Sequence, residues 1–170
     1  MKQKGSVVME RSQQIIGAVE GILRGQGFDV QPDNRLPAHP GVNMLIPLQE
    51  DGTELVFTEL HFIEGSEGFD VVQIYTTLID AVSEAACTEL EKAAALWNMD
   101  FLLGSLGIRR DNHQLYHRYC VTLPKQYPVQ PSAELVYDAF AFILSQIAEY
   151  HGDALQLSAG ITFEELCAME

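Results

Sequence analysis

The 170-residue sequence predicts an α+β fold, with an antiparallel sheet of about five strands packed against helices in the order α-β-β-β-α-β-β-α. Three observations carry that expectation. Apolar residues recur at helical spacing near the start, in the middle and late in the chain. Between them lie three and then two segments in which apolar residues alternate with less apolar ones. The links within each strand group are short, which joins neighbours as antiparallel strands rather than by crossovers.

The first helix is expected from about Ser6 to Arg24, where Ile15, Val19, Ile22 and Leu23 share a face and Gly25 and Gly27 end it. FDV (28–30) reads as a short extended piece. QPDNRLPAHPG (31–41) holds three of the seven Pro and reads as a loop. The first strand puts Val42, Met44, Ile46 and Leu48 on one face, and Pro47, which cannot donate to a ladder, suggests a sheet edge. After the turn EDG comes ELVFTELHFI, with Val56, Leu60 and Phe62 in phase. After EGSEG comes FDVVQIYTTL, with Val72, Ile74 and Leu78 in phase.

Asp80 can cap a second helix, AVSEAACTELEKAAALWN, whose apolar side uses Val82, Ala86, Leu90, Ala93 and Trp97. Trp97 is expected to pack at the helix end. Two more strands follow, Phe101 to Arg109 and Gln114 to Leu123, joined by RDN. PKQYPVQPS is a Pro-marked loop. A third helix is expected from Ser132 to Tyr150, with Gly152 as its stop. Residues 151–170 form a tail with a short helix at TFEEL, where Thr162 and Glu165 have capping-box spacing. The whole chain, 1–170, reads as one domain.

Composition narrows the function classes. Hydrophobic residues make up 47% and charged residues 20%, the balance of a globular chain. The net charge of -14 repels phosphate backbones and anionic lipid, so neither nucleic acid nor membrane is an expected partner. The acidity either serves solubility or suits basic partners. Cys87, Cys120 and Cys167 are scattered, without CxxC spacing, and are expected as free thiols. The N-terminal stretch lacks the apolar core of a signal peptide, so a cytoplasmic protein is expected.

LWNMDFLLGSLGIRRDNHQLYHRYC (96–120) collects the residues that invite a catalytic reading. Gly104 and Gly107 lack the context and the Lys of a phosphate loop, and read as close packing or a bulge. Arg109 and Arg110 read as solvated hairpin residues. His113 and His117 have the i, i+4 spacing of metal-binding helices. In a strand, four residues span about 13 Å, too far for both rings to reach one ion. His117 is in phase with Leu115, Tyr119 and Val121, so it is expected to pack in the sheet with a hydrogen-bond partner. Cys120, at odd spacing from His117, falls on the opposite face and cannot form a dyad with it. Glu59 and His61 share the face opposite Leu60, where a general acid/base pair has no other support. No catalytic residue, cofactor or metal ion is therefore expected.

The third helix shows more apolar surface than one sheet covers. Its core stripe is Val136, Ala139, Phe140, Ile143, Ile147 and Tyr150. Tyr137, Ala141, Leu144 and Ala148 extend it on one flank, Leu135 and Phe142 on the other. The cover is either the tail, through Leu155, Leu157, Ile161, Phe163 and Leu166, or a second protein surface. That makes Tyr137, Leu144 and Ala148 a candidate partner or dimer surface.

The element order, together with ELEKAAALWNMDFLLGSLGIRRDNHQLYHRYCVTLP and the long apolar helix after it, resembles the YbjN family, which is similar to the type III secretion chaperone fold. The sharpest match is the helix ending in LWN at 96–98. The resemblance implies a non-enzymatic domain that binds an unidentified protein or peptide client, often as a homodimer, in a group described as sensory-transduction or stress regulators. It supplies no catalytic residue. The alternative is a small enzyme with a site built from scattered Glu, His or Cys. A concave pocket with convergent titratable groups would favour the enzyme; an exposed apolar strand or helix surface would favour the binder.

Overall fold

The alternating segments pair into one six-stranded antiparallel sheet of order β1-β2-β3-β4-β6-β5, seen in a computed structural model that describes residues 10–33, 35, 38–49, 52 and 54–169. The elements run α1 (Arg11–Gly25), β1 (Gln31–Asp33), β2 (Gly41–Pro47), β3 (Leu55–Ile63), β4 (Phe69–Ile79), α2 (Glu84–Trp97), β5 (Ser105–Arg109), β6 (Gln114–Pro124), α3 (Val129–Ser158) and α4 (Phe163–Cys167). The class is α+β, as the sequence predicts. The expected start of the first helix at Ser6 lies outside the described residues.

Period-two alternation decides which face is buried. Val42, Met44 and Ile46, then Val56, Leu60 and Phe62, then Val72, Ile74 and Leu78 all point into the core, joined from β6 by Leu115, Val121 and Leu123. The helices cover this one face, with α1 against β2 and β3, and α3 against β4, β6 and α1. Thr58 and Thr76, directly paired across β3 and β4, lie within this core and satisfy each other at 2.9 Å. No helix among the described residues is long and apolar enough to cross a membrane.

Three details depart from the sequence reading. The loop expected at 31–41 contributes a sixth strand: β1 pairs with Gly41–Asn43 of β2. It stops there, so the rest of β2, with Pro47 on it, is a sheet edge. Ser83, not Asp80, caps α2; its hydroxyl accepts from the Ala86 amide at 3.2 Å. Asp80 instead accepts from the Ala81 amide, where the backbone turns through a positive φ of 58°. The expected strand from Phe101 begins only at Ser105, because Gly104 takes a positive φ of 78°. The Asn98 side chain pairs with both the amide and the carbonyl of Leu106, at 2.7 and 3.0 Å, and anchors the connection.

The largest correction concerns α3. It starts at Val129, three residues before the expected Ser132, since Pro131 sits in the first turn, where its missing N–H costs nothing. It runs through Gly152 to Ser158, so the tail proper begins at Ala159 rather than at 151. His151, Ala154 and Leu157 continue the buried stripe, and their burial outweighs the roughly 1 kcal/mol that an interior Gly costs a helix. The capping box at Thr162 and Glu165 forms as expected and starts α4.

Candidate functional site

The residues of the β5–β6 hairpin are held by packing, hydrogen bonds and ion pairs. His117 is fully buried; its Nε2–H donates to the Leu103 carbonyl at 2.8 Å and its ring lies 5.3 Å from that of Phe101. Burial pushes its pKa down, so it is neutral at pH 7. His113 is not in a strand; it ends the turn with a positive φ of 52°, half-buried, 3.3 Å from Glu84. One ring faces solvent and the other the core, so the pair shares no site. Arg110 bridges the hairpin to α2 through Glu84 and Glu91, and Arg109 pairs with Asp111. Gly107 gives room to the Tyr116 ring, whose hydroxyl a Cβ would meet at 2.7 Å. Trp97 is buried, 5.3 Å from the Tyr150 ring. Cys87, Cys120 and Cys167 are free: the first is buried, the last exposed, and Cys120 lies on the face opposite His117.

A polar cluster spans β1, β2 and β3 on the uncovered face of the sheet. Register places Asp33 opposite Gly41, and Gly41 opposite His61. Without a Cβ, Gly41 lets the His61 ring lean across it; a Cβ there would meet His61 Cδ2 at 2.5 Å. His61 Nε2 thereby reaches Asp33 Oδ2 at 3.0 Å. Arg35 grips the same carboxylate through Nε at 3.0 Å and Nη2 at 2.5 Å, and also contacts Glu59. Asp33 is almost wholly buried, and the Arg35 guanidinium holds its carboxyl well below the usual carboxylate range.

Asp33, Glu59 and His61 offer ligand atoms within 4.8 Å of one another, a spacing that would suit a metal ion. Arg35, however, already matches both carboxylates with its own positive charge. The cluster also lacks a nucleophile. Cys120 is in the same cross-strand row, but Gln73 of β4 stands between it and His61, and the ring leans the other way, toward β1. The cluster can therefore orient an imidazole, yet it brings no reacting group to it.

A cavity of about 480 Å³ opens beside the start of α1, lined by Arg11, Phe62, Asp70 and Lys125 among others. Its two cations both pair with Asp70. The buried Asp70 carboxylate takes Arg11 at 3.4 Å and Lys125 at 3.5 Å, and Arg11 also donates to the carbonyls of Pro124 and Tyr127. This network ties α1 to β4 and to the end of β6.

Exposed apolar side chains occur on the sheet, at Leu45 and Leu55, and also at the end of α2, on the α2–β5 connection and on α3. Met99 is 80% exposed, Leu102 78% and Phe142 41%; Leu96 and Leu135 are exposed too. Leu102 and Phe142 line a shallow cavity of about 530 Å³ with Asp100, Gln146, Glu149 and Tyr150. The connection is held by backbone donors: the Leu103 amide donates to Gln146 Oε1 at 3.2 Å, and the Phe101 amide to Trp97 O at 3.2 Å. The opposite flank of α3 fares differently. Tyr137 and Leu144 are half-buried against the core, and Ala148 is exposed.

The chain matches no protein-family model and no curated protein sequence.

Sequence reasoning missed Asp33 and Arg35, which it left in a loop; only the register of β1 against Gly41 joins them to His61. It also had no signal for the α2–β5 connection, because Leu102 reads as a strand residue until Gly104 breaks the strand.

Proposed function

We propose that this chain is a non-enzymatic module that binds a protein or peptide, as the resemblance to the YbjN family and to secretion chaperones implies. One observation carries the reading: Leu102 and Phe142, exposed side chains of two separate elements, line one shallow cavity, with the still more exposed Met99 on the same connection as Leu102. Scattered surface apolar residues are ordinary, whereas a contiguous patch marks an interaction surface. Three free thiols support the reducing cytoplasm as its compartment. The test is saturable binding to a library of unstructured peptides, read by fluorescence anisotropy. Micromolar binding of a subset supports the module, and no binding by any member refutes it.

The enzyme reading has a single observation in its favour, the Asp33–His61 contact. Arg35 on both carboxylates and the separation of Cys120 from the ring weigh against it. On the binding reading His61→Ala leaves peptide affinity unchanged, because the cluster lies on the uncovered sheet face and the apolar side chains lie on helices and their connection.

A further inference from the structure

We propose that the face formed by α3 and the α2–β5 connection docks a cationic amphipathic segment of a partner protein, one that presents leucine-like side chains beside lysine or arginine. This rests on the binding reading above and specifies its partner. The apolar half of the argument is the shallow cavity between Leu102 and Phe142, with the more exposed Met99 on the same connection. Those two side chains come from separate elements, so an inserted side chain touches both at once.

Charge supplies the other half. Asp100 and Glu149 line the cavity, and α3 adds Glu134, Asp138 and Asp153. Neither α3 nor the stretch from Ala93 to Ile108 contains any Lys or Arg. The cavity is thus rimmed by carboxylates alone, Asp100 and Glu149, on a chain whose net charge is -14. The rim attracts a basic segment and repels an acidic one, which is how charged surfaces choose partners. A second copy of this chain is disfavoured for the same reason: a two-fold contact through this face would bring the acidic rim of one copy against that of the other.

The probe is a synthetic helical peptide of about 18 residues with Leu at i, i+3, i+4 and i+7 and Lys on the flanks. Three companions are needed: Glu for Lys, Gln for Lys, and the Lys peptide with its Leu scrambled off one face. Anisotropy at low salt should show saturable binding of the Lys peptide only, weakened roughly tenfold or more at about 0.5 M salt. Leu102→Ser with Phe142→Ser changes exposed residues, keeps the fold, and should weaken binding about tenfold. Equal binding of the Lys and Gln peptides overturns the charge argument. Equal binding of the scrambled peptide, or no effect of the double variant, overturns the location. A parent dimer in light scattering that the double variant dissolves assigns the face to a second copy and overturns the proposal. If library peptides bind while the Lys peptide does not, this inference fails and the binding reading stands; if none binds, the reading itself fails.

Discussion

A carboxylate as deeply buried as Asp33 persists only while its charge is met. Arg35 and His61 meet it, and Arg35 is the larger cause of its lowered pKa. Replacing Arg35 with Ala should cost about 2 kcal/mol at pH 7, since it strips a charged partner from a buried group. The sign of the pH dependence follows. A carboxyl whose folded pKa is depressed contributes stability that is present above its unfolded value, near 4, and is lost as pH falls toward the folded value. Urea midpoints of parent and Arg35→Ala should therefore differ most at pH 7 and converge below pH ~4. A constant gap would mean that the guanidinium matters through packing. His117 belongs to the same argument with desolvation as the cause. Its folded pKa lies below the ordinary imidazole value, so stability is full above about pH 6.5 and declines as acid favours the unfolded, protonated ring. His117→Phe should flatten the fall in melting temperature between pH ~7.5 and ~5.5. If parent and variant lose stability in parallel, another group carries that dependence.

At the scale of elements, alternation and helical spacing locate five of the six strands and all three long helices, because burial of one face imposes those periods directly. Boundaries are less legible, because they depend on contacts distant in sequence. Asp80 and Ser83 both have cap chemistry; only Ser83 stands three residues before a free helical amide it can reach. Ser83→Ala should lower stability by about 1 kcal/mol while Asp80→Ala does much less, read by thermal melts of the two variants. The reverse order would restore Asp80 as the cap. Gly152 looks like a stop in the sequence because the residues that carry α3 past it, Ala154 and Leu157, are weak signals until their burial is seen. A Cβ at Gly152 meets nothing within 4 Å and the position is exposed, so Gly152→Ala should raise stability by about 0.5–1 kcal/mol. A loss in the melt would show that the helix bends or ends there.

For the molecule as a whole, the question is what covers the broad apolar arc of α3. The sequence offered two answers, the C-terminal tail and a second protein surface. A third was hidden in it: α1 lies against α3, and no periodicity in either helix announces that pairing. The tail folds back as well, burying Leu166 and docking α4 on α2 and α3, with the Phe163 amide donating to Glu89 Oε2 at 2.9 Å. Tyr137 and Leu144 are consequently half-buried within one chain, while Ala148 is left in water and Phe142 on the other flank stays open. This division sets the outcome of placing a charge on each. Leu144→Glu forces a carboxylate against the core and should cost about 1–3 kcal/mol, lowering the melting temperature at unchanged mass. Ala148→Glu should stay within about 0.5 kcal/mol of the parent. Light scattering and thermal melts of both variants decide the matter together. If Leu144→Glu melts like the parent yet halves the mass of a parent dimer, that flank belongs to a second chain.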